Sequence, residues 1–216
     1  MLFVKKKSIV DFFDKLNKSK LSYVLIRNIN HELPDSLIKG KDVDLLVKYS
    51  DKELIYDFLK KNGFKKVKHP HRRNIYLYGI NKFEFFVNKE GLILDLNFSL
   101  VCRSLDKGQW LPIDQFIQNS AWQNKLFYSL SSDFNYWSLS KEDTFITLIV
   151  RSVFDKKKFH QGYIDGIEEL VDHVDMSDVI LKLNLIFFKY TDTLIEQIKI
   201  KSYSTVIDNY FKFNKY

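Results

Sequence analysis

Cysteine is nearly absent from this 216-residue chain, and proline and glycine are sparse, with one, three and seven copies. Cys102 stands alone, so neither an intrachain disulfide nor a cysteine metal site can form, and a reducing compartment fits. No run approaches the ~18 apolar residues of a membrane helix. The start "MLFVKKKSIVDFF" places its lysines after a very short apolar stretch and carries no small-residue cleavage site, so the expected location is cytoplasmic. A dense basic stripe is also missing. The net charge is +7, but the lysines are spread out, with short clusters only at Lys5 to Lys7 and Lys156 to Lys158, which makes nucleic acid an unlikely partner and leaves phosphate-bearing small ligands open. There is no internal repeat, low-complexity tract or flexible linker, and the chain is expected to pack as one body.

What is present describes an ordinary globular protein: 45% hydrophobic and 28% charged residues, with 19 Phe and 12 Tyr that imply thick aromatic packing. The length allows one large domain, or a domain with a smaller companion. Ser8 and Asp11 ahead of Phe12, Phe13 and Leu16 read as a capped amphipathic helix ending near Lys18, and Tyr23 to Ile26 as a buried strand. "INHELPDSLIKGK" allows at most one helical turn. Ser50 is a candidate cap for a helix with the stripe Leu54, Ile55, Phe58 and Leu59 that stops at Gly63. "FKKVKH" and "NIYLYGI" read as strands, and "FEFFV" pairs with "LILDLNFSL" as a hairpin across the "NKEG" turn. Residues 101–139 read as irregular and aromatic, and from about Ser140, where "SKED" is a capping pattern, the chain reads as mostly helical.

The chemistry begins at "KDVDLLVKY". Side chains alternate along a strand, so Asp42 and Asp44 face one way while Val43 and Leu45 face the other. Two like charges held together call for a shared proton, a bound cation or full solvation, and oxygen ligands of this kind suit Mg²⁺ or Mn²⁺. A solvated strand start is the plain alternative. Along "LILDLNFSL" the leucines share one face and Asp95 shares the other with Asn97. An outward-facing, solvated Asp95 is again the plain alternative. Three carboxylates on neighbouring strands would hold divalent cations that orient a triphosphate and activate an attacking hydroxyl.

In this order, "YVLI", "DVDLLV" and "LILDLNF" resemble the nucleotidyltransferase superfamily, whose fold is that of the polymerase β catalytic domain. The resemblance covers roughly the first 100 residues. It implies a mixed-sheet domain in which Asp42 and Asp44 are metal ligands and Asp95 is a third ligand or the general base. Where the family places Gly-Ser to cradle phosphate, this chain has Arg27-Asn28. Arg27 then either grips phosphate through its guanidinium or forms a structural salt bridge. "LIRN", "LP" and "DVDLLV", with the later "FDKKKF", are also similar to small nucleotidyltransferase-like proteins of bacterial surface-polysaccharide gene clusters.

Further candidates are the "HPHRRN" segment, whose Arg72 and Arg73 suit an anion, and the "RSVFDKKKF" helix end, from which Arg151 or Lys156 would reach the acceptor or the triphosphate if the helical half closes over Asp42 and Asp44; a solvated basic loop and an ordinary charged helix end are the plain alternatives. The expectation is thus an α+β protein, with a mixed-sheet nucleotidyltransferase-like domain over 1–115 and a mainly helical region over 116–216. Its substrates would be a nucleoside triphosphate or other phosphorylated small molecule and a small-molecule or glycan acceptor. Two alternatives stand beside it: a fold that has lost turnover and only binds, and a glycosyltransferase of the DxD type. The latter is disfavoured because its motif normally ends an apolar strand after a nucleotide-binding region of roughly a hundred residues built from ~30-residue units.

Overall fold

Apolar alternation decides how the central strands stack. In a computed structural model, which describes residues 2–68, 83–105 and 108–214, seven strands form one mixed sheet in the order β3-β4-β5-β2-β1-β9-β8. These are β1 (Tyr23–Leu25), β2 (Asp42–Val47), β3 (Lys65–Val67), β4 (Glu84–Val87), β5 (Ile93–Asn97), β8 (Leu126–Ser131) and β9 (Phe134–Ser138). A separate ribbon joins β6 (Val101–Arg103) to β7 (Trp110–Pro112). β2 lies parallel to β5 and antiparallel to β1, and β4 and β5 form the expected antiparallel hairpin, with Gly91 at φ +85° in its turn.

One face of the sheet buries Val43, Leu45, Val47, Leu94 and Leu96 against Ile9, Phe12, Phe13 and Leu16 of α1 (Lys6–Lys18) and Ile55 and Leu59 of α2 (Lys52–Lys61). Each such side chain contributes about 1.5–3 kcal/mol of burial. The opposite face carries Val24, Ile26 and Leu46 into a second core, built mainly from α3 (Gln115–Gln123), α4 (Lys141–Val150), α5 (Gln161–Leu170), α6 (Met176–Phe187) and α7 (Thr191–Lys199), with α8 (Val206–Lys212) beyond. Asp44, Asp95 and Asn97 look toward this helical layer. The expected mixed sheet followed by a mainly helical half is what the chain forms.

Three local expectations are corrected. α1 starts at Lys6, so Ser8 lies buried within its first turn and meets Asn88 Nδ2 at 3.2 Å. α2 is led in by a 3₁₀ turn over Tyr49–Asp51, which leaves Ser50 donating only to the neighbouring Asp51 carboxylate. Residues 101–139 are not irregular: they hold β6, β7, α3 and the β8–β9 hairpin, and β9 joins the main sheet beside β1 in parallel. β8 is an edge strand exposed along most of its length, so it lacks the inward–outward alternation that marks a strand in sequence. Ser140 does cap α4, accepting a hydrogen bond from the Asp143 N–H at 3.1 Å.

Candidate functional site

Parallel pairing brings the carboxylates together. Asp44 on β2 is the register partner of Asp95 on β5, so their side chains leave the same face of adjacent strands, and Asp42 lies two residues before Asp44 on that face. One carboxylate oxygen from each of Asp42, Asp44 and Asp95 lies within 4.8 Å of the others. Asp44 and Asp95 are each 8% exposed, whereas Asp42 is open to solvent on one side and flanked by protein on the other. The Asp42 carboxyl is pushed above the usual carboxylate range, first by burial and then by the charge of Asp44.

The donor set fits a hard divalent cation. All three ligands are oxygens, as Mg²⁺ and Mn²⁺ prefer. At its ~2.1 Å bond length, ligands on one Mg²⁺ stand about 3.0 Å apart when adjacent and about 4.2 Å when opposite, so oxygens separated by up to 4.8 Å must draw in to share one ion.

Guanidinium groups surround the carboxylates. Arg27, just past β1, places Nη2 2.7 Å from Asp44 Oδ2, with both side chains largely buried. Arg151 opens a single π-helical turn, Arg151–Asp155, that continues α4, and its Nη1 lies 3.2 Å from Asp155 Oδ2. Asp155 Oδ1 accepts the Arg103 backbone N–H at 2.9 Å. Burial alone would lower the Arg151 pKa, but the carboxylates of Asp155 and Asp44 outweigh it and hold the group charged. Tyr163 on α5 bonds Arg151: burial pushes its hydroxyl up, yet Arg27 and Arg151 together bring it below its ordinary value. Cys102, by contrast, has its thiol pushed up to about 12 by burial and then by Asp155, so it stays protonated and unreactive.

Asp42 and Asp44 line a cleft of about 410 Å³ whose other walls include Arg27, Lys41, Lys156, His160 and Tyr163. Lys156 lines the same cleft as Asp42 and Asp44. Asn28 also borders the cleft, but its side chain is engaged with the loop: Oδ1 accepts the Leu33 N–H at 3.0 Å, and its amide bonds the Tyr136 hydroxyl. Arg72 and Arg73 lie outside the described residues. Arg151 and Tyr163, with Lys41 and His160 at the rim, are neighbours that no local pattern singles out as a group, because they come from the far half of the chain or from an unpatterned loop.

No family model matches the sequence, and no curated protein matches it either. Among solved structures, the lincosamide antibiotic adenylyltransferase LnuA, solved with lincomycin bound, is similar at 14% identity and TM-score 0.48, over 80% of this chain and 100% of that one. A nucleotidyltransferase-like protein from Paracoccidioides brasiliensis aligns at 11% identity and TM-score 0.46, over 94% of this chain and 91% of that one. The antibiotic-resistance factor ANT(2'')-Ia aligns at 10% identity and TM-score 0.51, over 91% of this chain and 100% of that one. At that level the likeness is one of fold, and the architecture is that of an α+β nucleotidyltransferase-like protein.

Proposed function

We propose that the protein is a metal-dependent transferase that moves a nucleotidyl or other phosphate-containing group from a nucleoside triphosphate, or another phosphorylated small molecule, to a small-molecule or glycan hydroxyl, with surface-polysaccharide biosynthesis as its setting. The observation behind the reading is the convergence of Asp42, Asp44 and Asp95 within 4.8 Å beside a cleft rimmed by Arg27, Lys41 and Lys156. Asp42 and Asp44 would hold Mg²⁺ or Mn²⁺, with Asp95 as third ligand or as the base that takes the acceptor's proton. When bound, the ion neutralises phosphate charge and polarises the phosphorus centre under attack. Lys41, Lys156 and Arg27 supply the remaining positive charge toward the phosphates. The helical layer behind the carboxylates limits water and strengthens these interactions.

The second reading is a protein that binds a phosphorylated ligand without turning it over. Its support is Arg27, which stands where the resembled family has Gly-Ser and is already paired with Asp44. Calorimetry with each nucleoside triphosphate, with and without Mg²⁺, tests both readings. Metal-dependent binding that disappears in Asp42→Asn with Asp44→Asn supports the site, and unchanged binding in that variant removes it. Release of pyrophosphate on adding acceptor pools separates the transferase from the binder.

A further inference from the structure

The Asp44 carboxylate already has a cation on it, and that cation belongs to the protein. We propose that Arg27 is the resident counter-ion of the carboxylate cluster, held on Asp44 until a substrate phosphate draws it off, so that phosphate binding and metal binding favour one another. The inference rests on the nucleotidyltransferase reading above and adds a coupling between its two ligands.

Three observations carry it. First, Arg27 Nη2 is 2.7 Å from Asp44 Oδ2, so the guanidinium takes up coordination that a divalent ion would need. Second, the fork is half used: among the described residues Arg27 Nη1 is buried without a hydrogen-bond partner. A phosphate oxygen pair would satisfy both arms, and that bidentate grip is stronger than the single contact to Asp44. Third, Arg27 has open space beside it. Arg151 is tied to Asp155, whose side chain is 4% exposed and also anchored to the Arg103 backbone, whereas the Arg27 side chain borders the 410 Å³ cleft and an adjoining cavity of about 200 Å³. The backbone beside it is fixed by the hydrogen bond from Ile26 N–H to the Asp44 carbonyl, 3.0 Å, so only the side chain need swing.

Coupling between two ligands is reciprocal, so nucleotide and metal should each tighten the other through Arg27. The test is Mn²⁺ titration of the full chain, with and without a non-hydrolysable nucleoside triphosphate analogue. In the wild type the analogue should tighten Mn²⁺. In Arg27→Met, Mn²⁺ should bind about tenfold tighter than in the wild type without nucleotide, and the tightening by the analogue should shrink by a similar factor. Mere removal of a nearby positive charge would raise both affinities equally and leave that tightening unchanged, which overturns the proposal. Should the Met variant not fold, Arg27→Gln, which keeps a donor toward Asp44 without the charge, decides by the same two numbers. If Mn²⁺ binds equally in wild type and Arg27 variants and is lost in Asp42→Asn with Asp44→Asn, the counter-ion role falls and the metal site stands. If no protein binds Mn²⁺ even with the analogue, both fall.

Discussion

Arg151 is the residue whose removal tests the electrostatic frame behind the carboxylates. In Arg151→Met a guanidinium is replaced by an apolar chain of similar reach, and Asp155, 4% exposed, loses the positive group 3.2 Å from its Oδ2. Breaking one side of a buried pair leaves an uncompensated charge and costs about 3–5 kcal/mol. In a chain of this size each kcal/mol moves the midpoint by ~2–4 °C, so thermal unfolding at pH 7 should fall by roughly 6–20 °C. The pH dependence has a definite sign. The Asp155 carboxyl is already raised, by burial first and against the pull of Arg151, and losing Arg151 raises it further. A carboxyl whose folded pKa exceeds its unfolded value penalises the folded state once pH rises above that unfolded value, and the penalty is absent below it. The deficit of Arg151→Met should therefore narrow as pH falls from 7 toward 4. Arg151→Met with Asp155→Leu should recover most of the loss, since both charges are then gone. A deficit under about 1 kcal/mol, or one that does not change with pH, would refute the reasoning.

Other perturbations act on separate parts of the molecule. Gly162→Ala places a Cβ 2.7 Å from Asn30 Oδ1 and 2.9 Å from Ile29 Cγ2, so these two side chains must shift where they line the cleft, and calorimetry should show weaker nucleotide binding; unchanged binding contradicts this. Asp42→Asn in metal-free protein removes a carboxyl that burial and Asp44 keep raised, so the midpoint should rise at pH 7 and the gain should fade toward pH 4 as the wild-type carboxyl protonates; a gain that grows on acidification contradicts this. Asp143→Ala strips the fully buried carboxylate that holds Lys182 at 2.8 Å and accepts from Ser120 at 2.7 Å, and urea unfolding should show a loss of about 3–5 kcal/mol.

The site was legible where one strand's own alternation set a side chain's direction. "DVDLLV" alone puts Asp42 and Asp44 on the face opposite Val43 and Leu45, and "LILDLN" puts Asp95 opposite its leucines. That Asp44 stands directly beside Asp95 follows from a non-local parallel register, which no local pattern states. Arg151 stood out in the sequence as a cation near a helix end with reach toward the triphosphate; the π turn that aims it at Asp155 depends on packing against β6. The tie of Tyr163 to Arg151 and Arg27 exists only once α5 folds against the loop after β1. Edge strand β8 was missed because Leu126, Phe127 and Leu130 are all exposed and give no period-two signal. The capping rule succeeded at Ser140 and failed at Ser8, where burial against Asn88 overrides local propensity.

The most direct test of the account is a crystal structure with Mn²⁺ and a non-hydrolysable nucleoside triphosphate, read by anomalous scattering from the metal. The account predicts one or two peaks at metal–oxygen bonding distance from Asp42, Asp44 and Asp95, with Arg27 turned from Asp44 to the phosphates. Nucleotide bound with no peak at these three carboxylates, or with the metal held elsewhere, would contradict it.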